Sequence, residues 1–302
     1  MEIILAEQAG FCWGVKRAIE IAIAASQKSS NTLYVLGHLI HNEAVVQKLD
    51  NIGIKVIEHW SVAEPGSTVL ITAHGLDYRI IRQAKEKGFQ VIDTTCPIIQ
   101  KVHRFTRQFL HEQRQIIIIG NPEHIEVKGI ISYADGKAEI VSRIDEIERL
   151  NLGRSDKLGV VVQTTFNIPK MQAIIQRLQQ QSATTNVMVR NTICPDVMGK
   201  QNEVKELAAI VDAVIVVGSK SSSNTTRLFE IAREICEKSY FVSRASELYV
   251  VNLHGVEKIA VTGGASTPDW IIDEVLEYLN RLALNQSIFE VKSTTVPLMS
   301  PI

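Results

Sequence analysis

The sequence predicts an α/β protein of three similar units with mostly parallel sheets, arranged pseudo-threefold around a central cavity. Three observations carry that expectation. Short β-branched runs alternate with segments of helical period, the pattern of strand–helix–strand crossovers. The strongest runs, Gln115-Ile116-Ile117-Ile118-Ile119 and Ala213-Val214-Ile215-Val216-Val217, lack polar alternation, as strands covered on both faces do. Finally, Cys12, Cys96 and Cys194 each stand after a strand-like stretch and before a helix, 84 and 98 residues apart.

Taken in order, apolar β-branched runs read as strands, and windows with apolar residues three and four apart read as helices. The first unit, residues 1–96, has strand Glu2–Ala6, helix Val15–Ala25, strand Leu33–Leu36, helix Ala44–Asp50, strand Val69–Thr72 and helix Arg79–Lys87. The second, residues 97–194, has helix Ile98–Gln113, strands Ile116–Ile119 and Gly159–Val162, and helix Met171–Gln180. The third, residues 195–302, has helix Glu203–Val211, strand Ala213–Val217, helix Arg227–Glu237, strand Lys258–Val261 and helix Ile271–Leu284, then a C-terminal tail. Strand Glu2–Ala6 precedes the first cysteine, so it is expected to complete the third unit's sheet and close the chain into a ring.

Beyond each cysteine come a helix, an apolar strand and a polar cluster. The clusters His41-Asn42, His124-Ile125-Glu126 and Ser222-Ser223-Asn224 begin 29, 28 and 28 residues after their cysteines. A second strand in each unit ends in Ala73-His74-Gly75, Gln163-Thr164-Thr165 or Gly264-Ala265-Ser266. Ligands of open α/β sheets sit beyond the carboxyl ends of the strands. The repeat therefore gathers three cysteines, three histidines, one glutamate and a Ser/Thr/Asn set around one cavity.

Bulk properties narrow the partners. With 32 basic against 33 acidic residues the formal charge is −1, so no overall positive field points to nucleic acid or an anionic membrane. The opening Met1-Glu2-Ile3-Ile4-Leu5-Ala6-Glu7 lacks the basic stretch of a signal peptide. The apolar runs are strand-sized, against roughly 20 residues for a membrane span. A cytoplasmic protein is expected, in which four cysteines are poor disulfide candidates.

Pro97 and Pro195 occupy first helical positions, which leaves Cys96 and Cys194 at or near N-caps. A helix N-terminus favours the thiolate, the metal-binding form. Three thiolates suit zinc or an iron–sulfur cluster, and no Cys-x-x-Cys run selects between them. A four-iron cluster on three cysteines would keep one iron open as a Lewis acid. Cys236 falls outside the pattern and is expected to pack a helix face. His41, His74 and His124 at equivalent strand ends suggest an anion site, since imidazolium and helix N-termini favour negative charge. Ser222, Ser223 and Asn224, with Ser266, could cradle a phosphate or simply cap helices; the spacing is not that of a P-loop. Glu126 is a proton donor if burial raises its pKa, and otherwise an ordinary helix-start acid. Thr164 and Thr165 either bond a substrate hydroxyl or cap the next helix.

Nine segments resemble one family in order along nearly the whole chain. They include Phe11-Cys12-x-Gly14-Val15, Leu39-Ile40-His41-Asn42, Ala73-His74-Gly75, Asp93-x-Thr95-Cys96-Pro97, His124-x-Glu126-Val127, Gln163-Thr164-Thr165 and Thr192-Ile193-Cys194. Val217-Gly218-Ser219-x-x-Ser222-Ser223-Asn224 and Gly264-Ala265-Ser266-x-Pro268-Asp269 complete the set. The resemblance is to the 4-hydroxy-3-methylbut-2-enyl diphosphate reductases, which catalyse the last step of the non-mevalonate isoprenoid pathway. It implies a three-lobed α/β fold around an oxygen-sensitive [4Fe–4S] cluster held by Cys12, Cys96 and Cys194, its fourth iron open to the substrate hydroxyl. It implies that His41, His74, Ser222, Ser223, Asn224 and Ser266 hold the diphosphate, with His124 beside the reaction centre. Glu126 with Thr164 would deliver protons, and a ferredoxin or flavodoxin would deliver electrons.

This chain departs from the family pattern at Trp13, Ile125, Val197 and Lys200, where a small residue, Pro, Thr and Arg are usual. Those departures keep open a divergent paralogue that retains the cluster and uses another substrate. A zinc hydrolase or a phosphate-ligand binder is the reading from another class.

Overall fold

A computed structural model describes residues 1–29, 32–152, 157–181 and 186–293, with side chains as far as residue 284; the C-terminal tail, residues 294–302, lies outside the described residues. The elements in chain order begin with β1 (Glu2–Leu5), α1 (Trp13–Lys28), β2 (Leu33–Leu36), α2 (Glu43–Asp50) and β3 (Ile54–Ile57). Then come β4 (Thr68–Ile71), α3 (Tyr78–Glu86), β5 (Gln90–Asp93), α4 (Pro97–His111), β6 (Gln115–Ile119) and α5 (Ile125–Ser132). They continue with β7 (Glu139–Val141), β8 (Lys157–Val162), α6 (Ile168–Gln181), β9 (Asn186–Arg190) and α7 (Pro195–Ala208). The last are β10 (Ala213–Val217), α8 (Ser223–Ile235), β11 (Ser239–Val242), β12 (Lys258–Gly263) and α9 (Asp269–Ser293).

Among the described residues the strands form three four-stranded sheets, ordered β3-β2-β4-β5, β7-β6-β8-β9 and β1-β12-β10-β11. Every strand pair is parallel, so the three α/β units expected from the sequence are present. They fall into two compact units. One comprises Cys12–Gly199 and holds the first two sheets; the other comprises Met1–Phe11 with Lys200–Ile302 and holds the third. β1 joins that third sheet by pairing with β12, Leu5 beside Val261.

Strand alternation sends neighbouring residues to opposite faces, and each face has its own helix cover. Ile215 and Val217 pack with Ile271, Val275 and Leu279 of α9, whereas Val214 and Val216 pack with Val204 of α7 and Leu228 of α8. The β6 face bearing Ile117 and Ile119 meets Met171, Ile174 and Leu178 of α6. Its opposite face, Ile116 and Ile118, meets Val102 and Phe109 of α4 and Ile130 of α5. Each such side chain is buried, a gain of about 1.5–3 kcal/mol apiece before chain entropy is charged.

Register sets where the site-bearing loops emerge. Ile119 stands beside Val162, so the turns after β6 and β8 leave their sheet side by side. Val217 stands beside Gly263, which does the same for the turns after β10 and β12.

Candidate functional site

Each of the three cysteines sits at a strand-to-helix junction. Cys12 and Cys96 are the N-caps of α1 and α4, and Cys194 precedes Pro195, the first residue of α7. Two of the cysteine loops are built alike. The Thr94 hydroxyl donates to the Ile71 carbonyl and the Cys96 N–H to the Ala73 carbonyl, the latter at 2.9 Å. The Thr192 hydroxyl donates to the Val162 carbonyl at 2.5 Å, and the Cys194 N–H to the Thr164 carbonyl at 2.9 Å. Arg17, within α1, reaches the carbonyls of Thr94 and Thr95 at 3.4 Å, so the helix behind the first cysteine braces the loop of the second. Sequence reasoning passed over Arg17; a cation five residues after Cys12 was the available signal.

Burial overrules the expectation that the helix N-termini favour thiolates. It pushes the Cys12 thiol up to about 11 and raises Cys96 and Cys194, outweighing N–H groups of Val15, Ile98, Ile99 and Val197 that act downward. Cys96 and Cys194 also raise Cys12, which places the three sulfurs within electrostatic reach of one another. Beside them Gly14 leaves a cradle: a Cβ there would lie 2.6 Å from Cys96 Sγ and 3.9 Å from Cys12 Sγ. Among the described residues no three His, Cys, Asp or Glu side chains are grouped to hold one metal ion. An iron–sulfur cluster places its ligands on different irons and asks for a wider spacing, which fits three thiols within electrostatic reach of one another, two of them beside Gly14. Cys236 lies elsewhere, buried in the apolar cover of β10 with Leu228 and Ala232.

His41, His74 and His124 come together as a trio. Ring centroids are 4.3 Å apart for His41–His74, 5.9 Å for His41–His124 and 6.1 Å for His74–His124. Here too burial corrects the charge assumed from sequence. It lowers the His41 pKa, holds His124 at about 4 and takes His74 well below the usual range, with repulsion from His38 adding to the effect at His41, from His41 and His124 at His74, and from His41 at His124. The trio is neutral at pH 7. His124 Nδ1 accepts the Glu126 N–H at 3.2 Å, so the ring proton belongs on Nε2. His74 Nδ1 is buried without a partner.

Glu126 lies in the first turn of α5 but does not cap it. Its carboxylate is fully buried; Oε1 accepts the Thr164 N–H at 2.7 Å and Oε2 the Thr164 hydroxyl at 2.9 Å. Burial raises its pKa to about 7, against the opposing pull of those two bonds. A buried carboxyl with a pKa of about 7, bonded to a hydroxyl, is equipped to hold and release a proton.

The Ser/Asn set belongs to the other compact unit. Ser222 caps α8, accepting the Thr225 N–H at 3.3 Å, and the Ser266 hydroxyl donates to the Ser222 hydroxyl at 3.2 Å. Ser223 is the first residue of α8, a helix with no acid in its first turn. Asn224 is 4% exposed, and neither its amide nitrogen nor its oxygen has a partner. A buried, unpaired amide is costly and is explained when a ligand supplies the bonds.

The family departures fall in different places. Trp13 is 63% exposed and stands in solvent. Ile125 packs with Leu36, Leu76 and Ile80. Val197 is buried, and its N–H supports the Cys194 sulfur. Among the described residues no helix is long and apolar enough to cross a membrane.

Comparison with known proteins places this geometry in context. The family described as LytB protein matches residues 3–280. A 4-hydroxy-3-methylbut-2-enyl diphosphate reductase of Geobacter sp. (strain M21) is 38% identical over 282 residues, covering 93% of this chain and 98% of that one. The enzyme of the same name from Caldanaerobacter subterraneus subsp. tengcongensis is 38% identical over 285 residues with the same coverage. The solved E-1-hydroxy-2-methyl-but-2-enyl-4-diphosphate reductase of Plasmodium falciparum superposes with a TM-score of 0.87 at 31% identity, covering 93% of this chain and 88% of that one. A second solved structure, described as (E)-4-hydroxy-3-methyl-but-2-enyl diphosphate reductase, the terminal enzyme of the non-mevalonate pathway, gives 0.69 at 35% identity, covering 93% and 100%.

Proposed function

We infer the reaction from one premise: the chain belongs to the LytB protein family. It is an oxidoreductase that removes the hydroxyl of 4-hydroxy-3-methylbut-2-enyl diphosphate, the terminal step of the non-mevalonate pathway. Two electrons and two protons convert the allylic alcohol into isopentenyl or dimethylallyl diphosphate and one water.

Cys12, Cys96 and Cys194 would hold a [4Fe–4S] cluster, leaving one iron without a protein ligand. When bound, that cluster supplies the electrons and a Lewis-acidic iron for the substrate oxygen. A ferredoxin or flavodoxin is the proposed electron donor. His41 and His74 take the diphosphate, and Ser222, Ser223, Asn224 and Ser266 offer it hydroxyl and amide groups. His124 and Thr164 contact the substrate near the reacting carbon. The observation that carries the mechanism is Glu126, fully buried, bonded through both oxygens to Thr164 and poised at a pKa of about 7. Near neutral pH such a carboxyl is close to half protonated, so it gives a proton to the departing hydroxyl and is readily refilled. Thr164 fixes the direction of that carboxyl.

The test is an anaerobic assay of reconstituted protein with reduced viologen, with and without 4-hydroxy-3-methylbut-2-enyl diphosphate. Dye oxidation that depends on substrate and falls by about 10²–10⁴ in Glu126→Gln, at unchanged iron and sulfide content, is the expected result. Turnover unaffected by Glu126→Gln would remove Glu126 from the proton path.

A further inference from the structure

The loop leading into Cys12 is held differently from the other two cysteine loops. Two residues before Cys96 and Cys194 stand Thr94 and Thr192, whose hydroxyls pin their loops to the neighbouring strand. Two residues before Cys12 stands Gly10, which has no hydroxyl and a left-handed φ of +92°. A Cβ at Gly10 would meet Asp269 Oδ1 at 2.8 Å, so a threonine cannot take its place.

Two side chains of α7 supply the missing attachment. The Lys200 ammonium, on a residue only 2% exposed, donates to the carbonyls of Gln8 and Gly10, the latter at 3.0 Å. Glu203 accepts the N–H groups of Glu7 at 2.5 Å and Gln8 at 3.1 Å. The remaining donors of this stretch go to the main chain, Ala9 to Ala6 at 3.1 Å and Gly10 to Gly263 at 3.3 Å. Lys200 and Glu203 thus give the loop charge-assisted bonds, the strong class of hydrogen bond. The helix that carries them starts at Pro195, directly after Cys194.

We infer that Lys200 and Glu203 are positioning residues that tie the segment entering Cys12 to the helix leaving Cys194, and so set the first cysteine for its metal. Both act through the backbone of the 7–10 loop. This explains why position 200 keeps a cation where the family has Arg: the cation binds backbone carbonyls, which an ammonium or a guanidinium both satisfy, and a neutral side chain would leave the buried Gly10 carbonyl unmet. The inference rests on the cluster reading above for its purpose, but its geometry is testable without metal.

The experiment follows alkylation of each cysteine by iodoacetamide in the reduced, metal-free full chain, resolved by mass spectrometry, for the parent, Lys200→Met, Lys200→Arg and Glu203→Gln. Local release of the loop is expected to speed Cys12 about tenfold in Lys200→Met and less in Glu203→Gln. Cys96 and Cys236 should hold the parental rate, and Lys200→Arg should restore Cys12. Reconstitution of the same samples should show iron lost faster in the two disruptive variants. Should Lys200→Met fail to fold, the half-exposed Glu203→Gln decides alone. Parental Cys12 reactivity in the folded variants, or equal acceleration of all four thiols, would overturn the tether. Failure of the parent to take up iron would instead sink the cluster reading and leave the alkylation result standing.

Discussion

A methyl group at Gly14 would meet the Cys96 sulfur at 2.6 Å, yet Gly14 lies within α1, where alanine is the better helix former by about 1 kcal/mol. Gly14→Ala is therefore expected to leave the metal-free fold intact while turning the Cys96 thiol aside. Iron and acid-labile sulfide per chain after reconstitution check this, the expected result being most of the cluster lost at an unchanged or raised melting temperature. Glu126 makes a second prediction at this scale. Its folded pKa of about 7 lies above the usual 4.5, so the native state binds more protons than the unfolded chain between those values, and stability falls as pH rises through that window. His103 and His124, both held at about 4 by burial, act with the opposite sign between about pH 4 and 6.5. Comparing Glu126→Gln with the parent isolates the carboxyl: the variant should gain stability relative to the parent from pH 5 to 8, by about 3 kcal/mol at the upper end. Urea unfolding of the metal-free chain across that range reads the difference, and a pH-independent gap would show that Glu126 titrates normally. Residue types at these positions were legible because the repeat spacing singles them out. Their protonation states were not, because desolvation depends on neighbours such as Thr164, distant in sequence.

At the scale of elements, the named strands include the two inner members of every sheet: β2 and β4, β6 and β8, β10 and β12. Those are the runs buried on both faces, and they read as unbroken apolar stretches. β3, β5, β7, β9 and β11 are not legible in the hydropathy pattern because they are edges, each half-covered; β5, Gln90–Asp93, has no fully buried residue. α5 is equally illegible in the pattern. It is short and interrupted by Gly129, and it buries Glu126 and Ser132 among its apolar residues, so its polar and apolar positions do not form a helical stripe. α7 starts at Pro195 rather than near Glu203, since Pro at a first helical position opens a helix that Gly199 does not end. The histidine trio yields the prediction belonging to elements, because β2, β4 and β6 each lead into one of its members. The imidazoles are neutral in the free protein, and the diphosphate contact proposed for them would raise their pKa, so binding is expected to take up protons and to weaken as pH rises through the values reached in the complex. Calorimetric titration with the substrate at pH 7 in two buffers of different ionisation enthalpy measures the uptake; none is expected if the trio does not meet the anion.

At the scale of the whole molecule, three parallel sheets of four strands, the same topology repeated, account for the regular return of a cysteine and a polar cluster along the chain. The strand-then-turn order puts each cluster past a carboxyl end, where helix N-termini and free backbone donors suit an anion. The α/β class, the inner strands, the three cysteines, the proton-donor candidate and the family are all legible in the amino-acid order, since they are written in local periodicity and in the spacing of chemically distinctive residues. Tertiary structure alone decided that the thiols and imidazoles are uncharged, that Glu126 faces Thr164 rather than capping its helix, that Trp13 stands in solvent, and that Lys200 and Glu203 hold the Cys12 loop. The physical reason is the same in each case: burial and long-range hydrogen bonding depend on which distant segments share a volume, and no local pattern in the chain encodes that.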